Sequence, residues 1–347
     1  MPKVSVLVST FRPGGLDITF AGMRDQIFKD FEVILVDRRY EIRKAEVQEL
    51  AEIYDLNLIH VPEHRRNGQW AAIGSAWNTG IALAKGEIIL FLQDWAYAPP
   101  GWLEAHMDCQ VNVDRRYVLS PYVYMNLPPL LTKQRFVSST NGSEDYGTFD
   151  TNAILNGDIL YECATFSDGL FEGSWVRDLT RMTEQQDPRI LSRGHAVPAN
   201  WVHIKNESVS RSVVWELNGL DERLDCGKGP LDTDLWQRLR LSNTELYWEP
   251  SGVTFCPNPR LICRSMPWGD MDVSIHNRWS FRDGERYVAA RVAMIESGQG
   301  TWKASNPSSM EALAQELEPW RYNKMLRVSR DVGDQEYWGF VPQPTDV

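Results

Sequence analysis

The sequence lacks several features that would assign it directly to a class of protein. Its five cysteines are scattered, odd in number and form no Cys-x-x-Cys pair, so we expect buried, reduced thiols and no zinc ribbon. The longest apolar run, "IILFL", is far shorter than the roughly 20 residues that span a bilayer. No apolar signal core precedes the first strand-like run. These absences predict a cytoplasmic protein, soluble or peripheral through a partner.

An excess of positive charge is also missing. The 347 residues include 36 Lys and Arg against 47 Asp and Glu, which gives a formal net charge of -11. A broad basic face for nucleic acid is therefore not expected, although a local basic groove is compatible with this balance.

Two familiar phosphate-binding loops are absent. No Gly-x-Gly-x-x-Gly follows the first strand-like run, and "GKGP" at 227–230 lacks the remainder of a P-loop. A nucleotide would have to be held in another way, commonly by a metal ion that bridges its phosphates.

Four strand-like runs open the chain, at residues 3–9, 31–36, 56–61 and 87–93. Helix-like stretches separate them, and this alternation predicts an α/β fold with a doubly wound, mainly parallel sheet flanked by helices. Ligands of such sheets bind beyond the carboxyl ends of the strands. The polar loops that follow the four runs therefore predict a binding crevice at that edge.

The remainder of the chain is less regular. The stretch from 124 to 200 is rich in Gly, Asn, Ser, Thr and Asp, which predicts loops and short elements laid over the crevice. Regular patterns return at 201–224 and 229–241, and a polar helix-like segment is predicted at about 308–328.

Two stretches carry motifs that resemble a known family. The first contains Thr10-Phe11-Arg12-Pro13, Val36-Asp37-Arg38, then Asn78, Gly80, Ala84, Gly86 and Glu87, and finally Pro100-Gly101-Trp102-Leu103. The second contains Asn218, Gly219, Asp221 and Glu222, followed by Gly229, Asp232, Asp234, Leu235, Arg238 and Leu239. In their order and separation they resemble the family-2 glycosyltransferases with the GT-A fold, which use nucleotide-diphospho-sugars.

The resemblance implies a division of the chain and an activity. Residues 1–125 would form the donor-binding half, residues 126–280 the loop-rich acceptor-binding and catalytic half of the same domain, and residues 281–347 a helical extension and tail. The implied reaction is an inverting transfer of a sugar, favoured as a UDP-sugar, to a hydroxyl of a saccharide, lipid-linked glycan, protein or hydroxylated nucleobase. Net acidity disfavours a nucleic-acid acceptor.

Asp232 is the predicted catalytic base. An inverting transfer needs a carboxylate to take the proton of the attacking hydroxyl, and the family pattern places Asp232 in that position. Asp234 lies about 200° further around a helix, so only one of the two can face the crevice. The alternative is that both are ordinary acids of a first helical turn. Leu231 replaces the Glu that precedes the base in the family.

The turn Gln93-Asp94-Trp95 stands where the family carries Asp-x-Asp, and Asp94 is its only acid. We predict that Asp94 binds Mn²⁺ or Mg²⁺, since both ions prefer oxygen ligands; the alternative is a plain turn residue. The family often has a second ligand, a His beyond the acceptor motif. The candidates for it are His276, which we prefer, His203 and Cys256.

The resemblance also implies a set of donor-binding residues at the strand ends. Arg38 stands where the family has an acid that contacts uracil, so the base cannot be read from this turn alone. Five arginines could surround a diphosphate, or lie solvated in loops; they are Arg12, Arg38, Arg39, Arg65 and Arg66. The predicted nucleotide and donor contacts are Thr10, Phe11, Arg12, Asp37, Arg38, Arg66, Asn78, Gln93 and Trp95.

Two other functions stay open at the level of sequence. A catalytically silent GT-A domain that binds glycans or proteins is favoured by the acids missing at Gln93, Trp95 and Leu231, and disfavoured by the retained Asp232. A nucleotidyltransferase would need a Gly-rich, basic loop after the first strand, which "STFRPGG" matches poorly.

Overall fold

The computed structural model describes residues 2–10, 16–38, 40–64, 66, 73–94, 96–125, 204–225, 230–257 and 281–322. Most of the predicted loop region, residues 126–200, lies outside this set. The same is true of several predicted site residues: Phe11, Arg12, Arg39, Arg65, Trp95, His203 and His276. For Cys256 only the backbone is described.

Strands and helices alternate through the first part of the chain. In order they are β1 (Val4–Thr10), α1 (Leu16–Asp25), β2 (Phe31–Asp37), α2 (Tyr40–Ile53), β3 (Leu58–Pro62), α3 (Ile73–Leu83) and β4 (Ile88–Gln93). Strand β1 pairs in parallel with β2 and β4, and β2 pairs in parallel with β3. Runs of Val, Ile and Leu suit strands that are covered on both faces, as parallel strands are. The predicted α/β fold class is confirmed.

The later elements complete this sheet. They are α4 (Trp102–Gln110), β5 (Arg116–Leu119), β6 (Tyr122–Met125), β7 (Asn206–Ser210), α5 (Arg211–Glu216), a 3₁₀ turn (Glu222–Leu224), α6 (Pro230–Leu241), β8 (Glu245–Trp248), β9 (Thr254–Pro257), α7 (Phe281–Glu296) and α8 (Met310–Tyr322). Among the described residues, the main sheet has seven strands in the order β3-β2-β1-β4-β7-β5-β8, and β6 pairs with β9.

One strand of the main sheet runs against its neighbours. Strand β7 is antiparallel to β4 and to β5, and Leu92 of β4 pairs with Asn206 of β7. The beginning of β7 therefore lies beside the carboxyl end of β4. Strands β4 and β5 point in the same direction, because both are antiparallel to β7, and β8 is parallel to β5. Helix α6 leads into the beginning of β8, so α6 itself begins at the opposite edge of the sheet, where the carboxyl end of β4 lies. This edge collects the ends of β1, β2 and β4 and the start of α6.

Alternate residues of the strands feed two hydrophobic cores, as the period of a β-strand requires. Val6 packs with α1, α2 and α4 on one face, whereas Leu7 packs with α3, α5 and α6 on the other. The two described C-terminal helices join the second face through Val288 of α7 and Leu313 of α8. Within the described part of the chain, no helix is long and apolar enough to cross a membrane.

Candidate active site

The acid of the Gln93-Asp94 turn is held by the neighbouring strand. Thr10 ends β1, and its hydroxyl donates a hydrogen bond to Asp94 Oδ2 at 2.9 Å. Both side chains are buried. Because β1 and β4 pair in parallel, with Ser9 opposite Gln93, the polar residues after each strand meet at the crevice edge. The predicted donor contact Thr10 and the predicted metal ligand Asp94 are therefore neighbours.

Gln93 places a second oxygen at this turn. Its main-chain N–H donates to the Lys205 carbonyl at 2.9 Å, whereas its side-chain Oε1 is buried and has no hydrogen-bond partner among the described residues. An amide oxygen beside a carboxylate suits Mg²⁺ or Mn²⁺, ions that take further ligands from water and phosphate. Within the described ranges no three His, Cys, Asp or Glu side chains form a metal cluster. The residues present thus fit a cation with few protein ligands.

Asp37, at the end of β2, lies in a buried ion-pair cluster. Arg43 of α2 donates to both its carboxylate oxygens at 2.6 and 2.8 Å, and His60 Nε2 lies 3.0 Å from Oδ2. Arg43 also reaches the Thr10 hydroxyl at 3.3 Å. Burial alone would raise the pKa of Asp37, but Arg43 and His60 outweigh it and hold that pKa well below its usual range. Asp37 is therefore a fixed negative charge.

Arg43, the cation that neutralises Asp37, was not predicted from the sequence. A signal for it exists, because Tyr40, Arg43, Val47 and Leu50 are all buried and recur at helical spacing. An arginine on the apolar stripe of a helix needs a buried partner. The acid at the end of the adjacent strand supplies that partner.

Arg38 lies at the same edge, between β2 and β3. Its Nε donates to Glu63 Oε2 at 2.8 Å, and its side chain keeps 18% of its surface exposed. Glu63 follows β3, so this ion pair bridges the ends of two strands. The predicted contact of Arg38 with the donor stays a prediction.

Asn78, a predicted donor contact, makes hydrogen bonds within the protein. The side chain is fully buried in α3, and its Nδ2 donates to the Leu220 carbonyl at 2.9 Å and to Glu222 Oε1 at 2.7 Å. Its Oδ1 accepts from the Leu220 N–H at 2.8 Å. With its amide engaged on both sides, Asn78 binds the second motif stretch to the first.

Arg66, another predicted donor contact, is also engaged within the protein. Its side chain is only 3% exposed and pairs with Glu222, with Nε 2.9 Å from Oε1. Its Nη1 donates to the Ser308 carbonyl at 2.8 Å. A guanidinium engaged with a buried carboxylate and a carbonyl holds chain segments together, and the contact of Arg66 with the donor stays a prediction.

Asp232 and Asp234 are separated as their spacing predicts. Asp234 is buried and accepts from Arg238 Nε at 2.6 Å, with Arg291 Nη1 at 3.2 Å from its other oxygen. Asp232 lies partly exposed in the first turn of α6. The positive end of the helix dipole favours an ionised carboxylate there. Of the two acids, Asp232 is the one on the accessible side of α6.

A tyrosine and a glutamate that were missed from the sequence lie near Asp232. The Tyr117 hydroxyl of β5 donates to the buried carboxylate of Glu207 in β7, and the Ile204 N–H donates to Glu207 Oε2 at 3.0 Å. Burial, the Glu207 carboxylate and, less strongly, the Asp232 carboxylate raise the pKa of Tyr117 well above its usual value. Tyr117 is therefore protonated at neutral pH. Nothing in the local sequence marks this pair, which is formed by sheet pairing.

Asp225 lies in the second motif stretch and joins that stretch to α3. Its two oxygens accept from the N–H groups of Gly74 and Ser75 at 2.7 and 2.9 Å, at the start of that helix. A Cβ on Gly74 would lie 2.5 Å from Asp225 Oδ1, so this close approach requires glycine. Burial raises the pKa of Asp225 to about 7, outweighing both hydrogen bonds.

Comparison with known proteins agrees with this architecture. Residues 5–167 match the family described as Glycosyl transferase family 2. The structure of S. aureus TarS 1-349 in complex with UDP-GlcNAc is similar to 97% of this chain over 78% of its own length, with 13% identity and a TM-score of 0.52. At that identity the likeness concerns the fold.

Two further structures resemble the chain more distantly. Another structure of S. aureus TarS 1-349 aligns over 97% of this chain and 77% of its own, with 13% identity and a TM-score of 0.48. The mannosyltransferase PcManGT from Pyrobaculum calidifontis, in complex with GDP-Man and Mn²⁺, aligns over 92% and 88%, with 13% identity and a TM-score of 0.43. Comparison with curated proteins gave no match.

Proposed function

We propose that this chain, whose residues 5–167 belong to glycosyl transferase family 2 and which has the GT-A fold, is an inverting glycosyltransferase. It would move a sugar from a nucleotide-diphosphate donor to an acceptor hydroxyl. The observation that supports this best is the presence of two carboxylates at one edge of the sheet. Asp94 follows β4, and Asp232 lies in the first turn of α6, which begins beside the same strand ends.

The donor would lie across the ends of β1, β2 and β4. Asp94, with the Gln93 amide oxygen beside it, would hold a divalent cation at the diphosphate, and Arg38 would lie at the nucleotide side of the crevice. Such a cation, when bound, neutralises the charge that grows on the leaving diphosphate. Thr10 keeps the Asp94 carboxylate oriented. A UDP-sugar is our first choice of donor, since TarS, which shares the fold, has been solved with UDP-GlcNAc.

Asp232 would act on the acceptor. As the acceptor oxygen attacks the anomeric carbon, Asp232 takes its proton, the bond from that carbon to the diphosphate breaks, and the configuration inverts. A general base of this kind contributes roughly 10²–10⁴-fold to the rate.

A panel of nucleotide sugars, assayed for transfer and for donor hydrolysis with and without Mn²⁺, tests the proposal. In the responsive reaction, Asp232→Asn should lower turnover at least about 100-fold, while calorimetry shows unchanged donor affinity. Glu311→Gln is the matched control, because Glu311 is an exposed acid in the first turn of α8 and should leave turnover unchanged.

A second candidate function is favoured by one observation, the amide Gln93 in place of the first acid of the turn. A silent domain of this kind would bind glycans or proteins without turnover. Binding of sugars with no turnover of any donor in the panel would support it. Full turnover by Asp232→Asn would instead remove Asp232 as the base.

A further inference from the structure

Helix α7 lies outside both motif stretches and outside residues 5–167, yet it contacts the first turn of α6 directly. An ideal Cβ built on Gly284 would lie 2.3 Å from Cγ and 2.6 Å from Cβ of Pro230. Pro230 is the first residue of α6, and its ring is rigid. The two helices therefore approach so closely that only glycine fits on α7 at this crossing.

The glycine is unfavourable for α7 itself. Apart from proline, Gly is the poorest helix former, and Gly284 lies inside a 16-residue helix with regular neighbours. Its presence is explained by the contact with Pro230. The close contact between α7 and the first turn of α6 therefore depends on glycine at this position.

Arg291 lies two turns after Gly284 on the same face of α7 and makes a second contact with the acceptor motif residues. Its Nη1 pairs with the carboxylates of Asp221 and Asp234, the latter at 3.2 Å, and its Nη2 donates to the Lys303 carbonyl. Both carboxylates are buried, and Arg291 is 10% exposed. Burial would raise the pKa of Asp221, but the guanidinium groups around it, Arg291 included, hold it below its usual value. Arg291 therefore joins two buried acids.

The contacted residues of α6 share one face of that helix. Pro230 and Asp234 are four positions apart and lie one above the other, whereas Asp232 falls between them on the opposite side. Helix α7 therefore holds the buried side of α6, and Asp232 projects from the other.

We propose that α7 positions Asp232, with Gly284 setting the separation of the two helices and Arg291 fixing the rotation of α6 through Asp234. This inference rests on the proposed function, in which Asp232 is the base. Gly284 and Arg291 are positioning residues, because both act through α6. A displacement of the base by about 1 Å can cost roughly 100-fold in rate.

The variant Gly284→Ala tests this directly, since alanine favours the helix but places a methyl group against Pro230. We expect kcat of transfer to fall about 10- to 100-fold, with donor affinity and far-UV circular dichroism unchanged. The double variant Pro230→Gly, Gly284→Ala removes the ring that the methyl group strikes. The kcat of this double variant should be close to the kcat of Pro230→Gly alone.

Arg286→Met is the matched control, because Arg286 is exposed on the same helix and only two residues from Gly284. It should leave kcat unchanged. Full transfer by Gly284→Ala, or a loss that Pro230→Gly does not relieve, would overturn the role of α7. The variant Asp232→Asn separates this outcome from failure of the proposed function. If Asp232→Asn is inactive and Gly284→Ala is fully active, only the positioning role fails; if Asp232→Asn transfers normally, the base assignment and this inference fail together.

Discussion

Two buried carboxylates, Asp37 at the donor edge and Asp225 in the acceptor motif, are held by different means. We use donor edge for the ends of β1, β2 and β4, and acceptor motif for residues 218–239. At the donor edge, Asp37 is paired with Arg43 and His60, and its pKa lies far below the usual value. In the acceptor motif, Asp225 accepts only main-chain N–H groups among the described residues, and burial raises its pKa to about 7.

The difference shows what each region can do with its charge. Arg43 compensates the charge of Asp37, so Asp37 remains negative through the whole physiological range of pH. Asp225 is bound to α3 by main-chain N–H groups and has no cation among its described hydrogen-bond partners, so it changes its charge near neutrality. The charge of Asp37 is permanent, whereas the charge of Asp225 depends on pH.

The largest expected effect concerns Asp94, the acid of the donor edge that would bind the cation, in comparison with its neutral neighbour Gln93. Asp94→Ala should lower transfer about 100- to 1,000-fold and remove tight Mn²⁺ binding, because it deletes the one acid of the turn. Gln93→Ala, which removes only a neutral oxygen, should stay within about 10-fold. Turnover and Mn²⁺ titration by electron paramagnetic resonance measure both. Equal losses from the two variants would contradict this ranking.

A smaller effect is expected where a cation of the donor edge is removed. Arg43→Met leaves Asp37 as a buried charge with His60 as its remaining described side-chain partner, so the free energy of unfolding should fall by about 3 kcal/mol in urea titrations. The neighbouring Lys44→Met is the control, because its pair with Glu41 is partly exposed and contributes about 0.5 kcal/mol or less. A loss below about 1 kcal/mol for Arg43→Met would mean that the cluster is not held by charge.

The difference between local and long-range contacts explains what could be predicted from the sequence. Buried strands reveal themselves through apolar runs, and β1, β2 and β4 begin and end within about a residue of their predicted bounds. The placement of Asp94 at a strand end and the separation of Asp232 from Asp234 around α6 also followed from local pattern, whereas the choice of Asp232 as the accessible acid came from the family resemblance. Local spacing is enough for such features, because they depend on neighbours in the chain.

Asn78 was predicted to contact the donor because it lies in the first motif stretch, and Arg66 because it lies in a polar loop that follows a strand. Their partners are 142 to 156 positions away, in Leu220 and Glu222. No local periodicity encodes a contact of that separation, and a buried amide or guanidinium has the same sequence appearance as one that binds a ligand. The contact between Gly284 and Pro230 is of the same long-range kind.

The smallest expected effect concerns Asp225. Its folded-state pKa of about 7 lies above the unfolded value of about 3.9, so folding takes up a proton between these values and stability falls as pH rises through that window. Asp225→Asn removes the titration. Between pH 5 and pH 8 the wild type should lose about 2 kcal/mol of unfolding free energy relative to this variant, measured by urea titration at each pH. The exposed Asp108→Asn should run parallel to the wild type. Parallel curves for Asp225→Asn as well would mean that Asp225 stays ionised in the folded protein, and the two regions would then hold their charge alike.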